Sequence, residues 1–207
     1  MIVIIDYGMG NLRSVAKAGE FLGKAMKIAD SPATIKKAKK IIFPGVGHFG
    51  KAVHELKKRK IFELLKERIK EGTPFLGICL GMQLLLEESQ EAKGIEGLAV
   101  IEGKVKKFSS QRLIVPHMGW NQIKIKYQKS NIKNKELFRG IPDGSYFYFA
   151  HSYYCQPRNK KVILATTDYA VKFASALHEN NIWAVQFHPE KSQSLGLKVF
   201  KNFLALC

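Results

Sequence analysis

The sequence predicts an α/β fold, with a mainly parallel central sheet, helices on both faces and additional antiparallel strands in the C-terminal half. Three observations carry this expectation. Before residue 95, short apolar runs alternate with amphipathic stretches, the order that builds a parallel sheet. Beyond residue 95, short alternating runs separated by turn residues take over, as antiparallel strands require. The 207 residues, 46% of them hydrophobic, suffice for a sizeable core and fit a single domain over residues 1–207.

Residues 1–6 read as a buried first strand. Tyr7-Gly8-Met9-Gly10 is a turn, and Asn11 is placed to cap a helix over 11–23, where Leu12, Val15, Ala16, Phe21 and Leu22 fall near helical spacing. A second strand spans 25–29, and Asp30-Ser31-Pro32 then starts a short helix over 33–37. Residues 40–43 form a third strand, closed by Pro44-Gly45. One helical tract is expected over 49–71, with Ile61, Leu64, Leu65 and Ile69 on its apolar face, Gly72 past its end and Pro74 as the stop. Phe75-Leu76-Gly77-Ile78 reads as a buried strand, and Met82-Gln83-Leu84-Leu85-Leu86 opens a helix ending near residue 88. Later strands are expected at 103–108, 122–125, 145–149, 162–167, 172–178 and 182–186, with turns at Pro142-Asp143-Gly144 and Glu179-Asn180-Asn181. An amphipathic helix closes the chain, capped by Ser192 and buried along Leu195, Val199 and Phe203.

Composition excludes several function classes. No run of eighteen apolar residues exists, so no membrane span is expected. The first residues carry no basic region and no small-residue cleavage site, so they read as a strand and not a signal peptide. The three cysteines, Cys79, Cys155 and Cys207, are scattered, which suggests neither a disulfide framework nor a zinc site and points to the cytoplasm. The net charge of +17 invites a nucleic-acid reading. Yet the lysines spread through 36–40, 57–60, 104–107 and 124–135 with no aromatic platform among them, so no nucleic-acid partner is expected. Solvated lysine faces, or a positive rim favouring anionic substrates or an acidic partner protein, account for the charge.

The chemistry centres on Gly77-Ile78-Cys79-Leu80-Gly81, a cysteine between a strand and a helix with glycines on both sides. A tight strand-to-helix turn lifts such a side chain clear of the sheet. The free N–H groups and dipole of the following helix favour a thiolate and an oxyanion beside it. A lone Cys in an apolar strand is also what an inert core residue looks like. The apolar run 182–185 then delivers Gln186-Phe187-His188-Pro189-Glu190. A thiol nucleophile needs a base, and the base needs an anion to orient it; Cys79, His188 and Glu190 supply those roles.

These two motifs, with Asp6-Tyr7-Gly8-Met9-Gly10-Asn11-Leu12, Pro44-Gly45-Val46-Gly47, Pro116-His117-Met118-Gly119-Trp120-Asn121, His151-Ser152-Tyr153 and Lys191-Ser192, resemble the triad-type (class I) glutamine amidotransferases. Within that group the resemblance is to the glutaminase subunits of imidazole glycerol phosphate synthase, and it covers nearly the whole length. The resemblance implies that Cys79 attacks the carboxamide of L-glutamine while His188 moves protons and Glu190 holds it. The N–H groups of Leu80 and Val46 would form the oxyanion hole, the latter after a peptide rearrangement. Gly45, Gly47, Gln83, His151, Ser152 and Tyr153 would hold glutamine. It further implies no cofactor and no metal. Ammonia would pass to a (β/α)₈-barrel cyclase subunit in a heterodimer, with Pro116, Met118, Trp120, Tyr148 and Lys191 at the interface. The catalytic motifs do not separate this acceptor from another, such as a cell-surface sugar awaiting amidation. Two further readings weigh against the motifs: a non-catalytic binding module on the same fold, and ordinary packing for the interface residues.

Other signals are weaker. Gly45-Val46-Gly47-His48-Phe49-Gly50 fits the dinucleotide fingerprint literally, but the acidic residue expected at the end of the next strand is missing. His48 reads as a solvated loop histidine, Cys155 and Cys207 as structural, and Lys57-Lys58-Arg59-Lys60 as a solvated helix face.

Overall fold

The structure is a computed structural model and describes residues 1–109, 113–126 and 136–206. Its first part alternates strand and helix: β1 (Ile2–Ile5), α1 (Leu12–Phe21), β2 (Met26–Ala29), α2 (Pro32–Lys36), β3 (Lys40–Gly45), α3 (Phe49–Lys58), α4 (Phe62–Lys70), β4 (Phe75–Cys79) and α5 (Leu80–Gln83). Strands then dominate: β5 (Glu88–Ser89), β6 (Gly103–Lys107), β7 (His117–Gln122), β8 (Lys124–Ile125), β9 (Tyr146–His151), β10 (Tyr153–Pro157), β11 (Ile163–Tyr169), β12 (Val171–Glu179) and β13 (Ile182–Val185), before α6 (Gln193–Ala205). The main sheet runs β2-β1-β3-β4-β13-β12-β10-β6-β5, with β11 against β12 and β8 against β11. The neighbours from β2 through β13 pair in parallel, whereas β12 pairs antiparallel with β13, β11 and β10. Strands β7 and β9 form a separate antiparallel pair.

Burial on both faces explains why the central strands are apolar without alternation. Val3, Ile5, Ile41, Phe43 and Phe75 pack on one side with Ile35, Leu56 and Leu65 of the helices there. Ile4, Ile42, Leu76, Ile78 and Val185 pack on the other with Val15 of α1 and Val199, Phe200 and Phe203 of α6. Each fully buried side chain of this size contributes about 1.5–3 kcal/mol. The pairing that positions the site is β13 against β4, Ile182 opposite Phe75 through Val185 opposite Ile78. It sets the chain leading to His188 beside the strand that ends at Cys79.

Several elements differ from the expectation. The tract over 49–71 is two helices, broken where Lys60 takes a left-handed φ of 59°. The break lets Ile61 turn inward, fully buried, while its N–H donates to the Leu56 carbonyl. The second helix ends as expected: Gly72 has φ 84°, its N–H donates to Ile69 O, and Thr73 N–H donates to Arg68 O. Helix α5 stops at Gln83 instead of near residue 88. The carbonyls of Leu84, Leu85 and Leu86 accept from Leu98, Val100, Ile101 and Ala99, so the next helical turn is replaced by a long-range pairing. Phe21 is 77% exposed, and Val15, Ala18 and Gly19 form the buried stripe of α1. Strands β7 and β10 were not expected. Asn11 and Ser192 occupy N-cap positions without capping a backbone N–H: Asn11 Oδ1 accepts from Ser14 Oγ, and Ser192 serves the site below. Cys155 is buried and unpaired in β10, while Cys207 and the lysines within 127–135 lie outside the described residues.

Candidate active site

Cys79 stands at the junction of β4 and α5 with φ 54° and ψ −109°, a backbone region that L residues adopt rarely and at a cost of about 1–3 kcal/mol. The neighbouring strand closes over this turn. A Cβ at Gly81 would fall onto the Phe43 carbonyl oxygen, so only glycine lets the helix start this close to β3. Gly45, opposite Cys79 in register, is held as closely by the buried Tyr7 hydroxyl. That hydroxyl has no hydrogen-bond partner among the described residues, and burial, then the nearby Cys79 sulfur, pushes its pKa up.

Beyond β13 the chain passes through Gln186 and Phe187 to His188. Its backbone is pinned on both sides: His188 N–H donates to Tyr148 O (2.8 Å), and Ser192 Oγ donates to His188 O (2.7 Å) while accepting from Tyr148 N (3.0 Å). Pro189 starts a tight turn that returns Glu190 to the ring, Oε1 lying 2.8 Å from His188 Nδ1. Both side chains are buried, at 3% and 2% exposure. Nδ1 being taken, the remaining ring nitrogen serves the hydrogen bond to Cys79. Burial alone lowers the His188 pKa. The Cys79 sulfur, by charge and hydrogen bond, and then Glu190 outweigh that and raise it to about 10. The charged form of the ring is thereby favoured, with the Glu190 carboxylate accepting at Nδ1.

Cys79 opens on a cavity of about 200 Å³. Its walls hold Val46, Gly47, Leu80, Gln83, His151, Ser152 and Tyr153, so the structure brings together most of the residues expected to bind glutamine or an oxyanion. Gly45 stands behind this wall, buried in β3. Pro116 and Met118, expected at a partner interface, line the same cavity, and Met118 is 64% exposed. Trp120, Tyr148 and Lys191 form an adjoining cluster: Trp120 meets Tyr148 edge to face at 6.2 Å, and Lys191 Nζ lies 5.5 Å above the Tyr148 ring. His48 caps α3, its Nδ1 accepting from Gly50 N–H. Among the described residues, no group of three or more His, Cys, Asp or Glu side chains could hold a metal ion, and no helix is long and apolar enough to cross a membrane.

Two polar groups at the site escaped the sequence reading. Glu91 lines the cavity, and its Oε2 accepts from Phe49 N–H at 2.7 Å, tying the cavity floor to the start of α3. It is one of several acids over 87–91, and no spacing distinguishes it. Gln186 directs Nε2 at Cys79 Sγ (3.6 Å) and accepts from Gln83 Nε2 (3.2 Å). Its place just before Phe187-His188 was the available signal.

Residues 3–207 match the family model described as glutamine amidotransferase class-I. The chain is 47% identical over 204 residues to the imidazole glycerol phosphate synthase subunit HisH of Chlorobaculum tepidum, covering 98% of each chain. It is 46% identical over 208 residues to the same subunit of Methanocaldococcus jannaschii, covering 100% of each. Solved structures share the fold at lower identity. A glutamine amidotransferase matches with TM-score 0.76 at 18% identity, covering 99% of this chain and 97% of that one. The glutaminase domain of Trypanosoma brucei CTPS with bound acivicin matches with TM-score 0.65 at 17%, covering 98% and 93%.

Proposed function

The chain belongs to the glutamine amidotransferase class-I family, and from that premise we propose that it is the glutaminase subunit of an imidazole glycerol phosphate synthase, acting in histidine biosynthesis. We read residues 1–207 as one amidotransferase domain. The observation that carries the activity is the buried Cys79–His188–Glu190 array opening on the cavity.

In this reading L-glutamine enters with its carboxamide at Cys79. The carboxylate of Glu91 is the acidic group lining the cavity, and it receives the substrate ammonium. Gln83 and the backbone of His151, Ser152 and Tyr153 hold the rest, with Gly47 in the opposite wall and Gly45 behind it. The sulfur attacks the carboxamide carbon, and the carbonyl oxygen takes the negative charge, met by the N–H groups of Leu80 and Val46. His188, already protonated, gives its proton to the departing nitrogen, so ammonia leaves and a γ-glutamyl thioester remains. The neutral imidazole then takes a proton from water, whose oxygen attacks the thioester. Glutamate is released, and Cys79 and His188 return to their starting state. Glu190 acts through the ring, fixing its orientation and stabilising its charge.

The synthase requires a second, cyclase subunit, which we read as a (β/α)₈ barrel forming a heterodimer with this chain. Met118 and Trp120 support the docking site, being exposed apolar residues beside the cavity mouth. Together with Pro116, Tyr148 and Lys191 they give a patch with an aromatic anchor, the type that dominates interface energetics.

The test is glutamate release from glutamine by the purified chain, alone and with the cyclase subunit and its ribulosyl nucleotide ligand. Stimulation by partner and ligand is expected. Cys79→Ala should lose activity by a factor on the order of 10⁴ or more. Hydrolysis that persists in Cys79→Ala would overturn the assignment.

A further inference from the structure

Strands β7 and β9 place His117 directly opposite His151, 34 residues away in sequence. The two rings sit in an aromatic cage. His117 stacks on Phe149 (4.9 Å) and on Tyr169 (3.9 Å), and Phe108 and Phe173 pack against both histidines. Inside such a cage, each ring nitrogen must find its partner within the protein.

The partners form a line with a fixed direction. The Tyr153 carbonyl can only accept, so His151 Nδ1, at 2.7 Å, carries the hydrogen. A neutral His151 then presents a lone pair at Nε2, and His117 Nδ1, at 3.0 Å, must donate to it. That leaves His117 Nε2 as an acceptor for Asn121 Nδ2 at 3.2 Å. The Asn121 amide cannot turn over freely, because its Oδ1 accepts from Gln122 N–H (2.7 Å) and its Nδ2 also donates to Asp168 O (3.2 Å). A proton added to either ring would set two donors face to face. Burial acts in the same sense, lowering His117 to about 4 and, with the neighbouring histidines, His151 to about 3.

The line continues toward the nucleophile. Tyr153 O accepts a second hydrogen bond, from Gln83 Nε2 at 3.0 Å. Gln83 Nε2 also reaches Gln186, whose own Nε2 reaches Cys79 Sγ. Asn121 begins this chain on β7, the strand that exposes Met118 and Trp120.

We propose that His117 is a positioning residue for the glutamine pocket: with Asn121 it supports the His151 tautomer that the Tyr153 carbonyl requires, and so helps hold that carbonyl where Gln83 and the substrate wall need it. The inference rests on the glutaminase reading for its kinetic consequence and on the hydrogen-bond geometry alone for the tautomers. His117 touches no substrate and acts through His151.

Two measurements test it. Nitrogen NMR of the ring-labelled protein at neutral pH reads the tautomers without reference to activity. Both His117 and His151 should be protonated at Nδ1, the form that is the minor one for free histidine. Protonation at Nε2 of either ring overturns the relay, whatever the fate of the glutaminase assignment. Kinetics of glutamine hydrolysis in the complex with the cyclase subunit then compares His117→Phe with His117→Asn. Phenylalanine keeps the stack and loses the N–H; asparagine can still donate to His151. His117→Phe should raise the KM for glutamine about tenfold with kcat changed less than about threefold, and His117→Asn should recover most of that KM. Should His117→Phe fail to fold, Asn121→Asp at the half-exposed end of the line serves instead. A carboxylate there draws the hydrogen to His117 Nε2, opposes two lone pairs between the rings, and should raise KM likewise. A wild-type KM in the folded variant, or a loss that His117→Asn does not restore, assigns His117 to packing and overturns the proposal.

Discussion

His188 and His151 lie close enough to feel each other's charge, and both are buried, yet they hold opposite protonation states. Burial drives both toward neutrality. At His188 it is overruled by the Cys79 sulfur and by the Glu190 carboxylate at 2.8 Å, and the pKa rises to about 10. At His151 the partners are a carbonyl and a neutral ring, and burial keeps the upper hand, at about 3. Depth therefore does not decide the charge of a buried histidine here; the charge of its partners does. The division suits the chemistry. In the glutaminase reading the charged ring would carry protons between sulfur, leaving group and water. In the proposed relay the neutral pair would transmit direction and hold a wall in place.

The sharpest way to break this contrast is to remove the charge on one side and keep the shape. Glu190→Gln takes away the carboxylate that orients and stabilises the His188 ring, and it can present an N–H where an acceptor is required. The kcat for glutamine should fall on the order of 10³-fold, with KM nearly unchanged, because the loss is felt as charge moves in the transition state. A fall of less than about tenfold would mean that Cys79 alone sets the state of the ring.

The acidic side of the pH range tests the neutral pair. The folded values of about 4 for His117 and about 3 for His151 lie below the ordinary 6.5. Between those limits the unfolded chain binds protons that the folded chain refuses. Stability must therefore fall as pH drops below about 6.5, by up to about 1.4 kcal/mol per pH unit for each ring. The carboxylates contribute to this slope in wild type and variant alike. His117→Phe removes one refusing ring, so its urea midpoint should decline less steeply than that of wild type from about pH 6 to about pH 4. Equal slopes would show His117 titrating as it does in the unfolded chain.

The two histidine sites also differ in how far the sequence foretells them. The candidate triad could be picked out because each half is a contiguous string: a cysteine between glycines at a strand-to-helix turn, and a histidine with its carboxylate two residues on. The βαβα order was legible for the same reason, as local periodicity. What escaped depends on partners distant in the chain. The break at Lys60 follows from the inward turn of Ile61, and α5 is short because residues 98–101 claim the carbonyls of Leu84 to Leu86. Phe21 fits the helical spacing, yet the helix buries Ala18 and Gly19 instead, beside Met26 of the next strand. The relay needs the register of β7 on β9, and one residue of slip would separate its rings. No local pattern marks β7 as a strand, since its Met118 and Trp120 are exposed on a surface we assign to a partner.

The smallest expected effect lies on the alkaline side and concerns His188 alone. Its folded value is raised from 6.5 to about 10, so the stability it contributes is complete below 6.5 and is lost as pH rises through about 10. In Cys79→Ala the first of the raising influences is gone, and burial is opposed by Glu190 only. The ring should then titrate well below 10, followed through its carbon shifts. The difference in urea midpoint between wild type and Cys79→Ala should narrow as pH climbs from about 8.5 to about 10.5. The change is modest because the Glu190 hydrogen bond survives in both proteins. If His188 instead kept its high value in the variant, Glu190 alone would hold the proton. The contrast with His151 would then reduce to a single carboxylate.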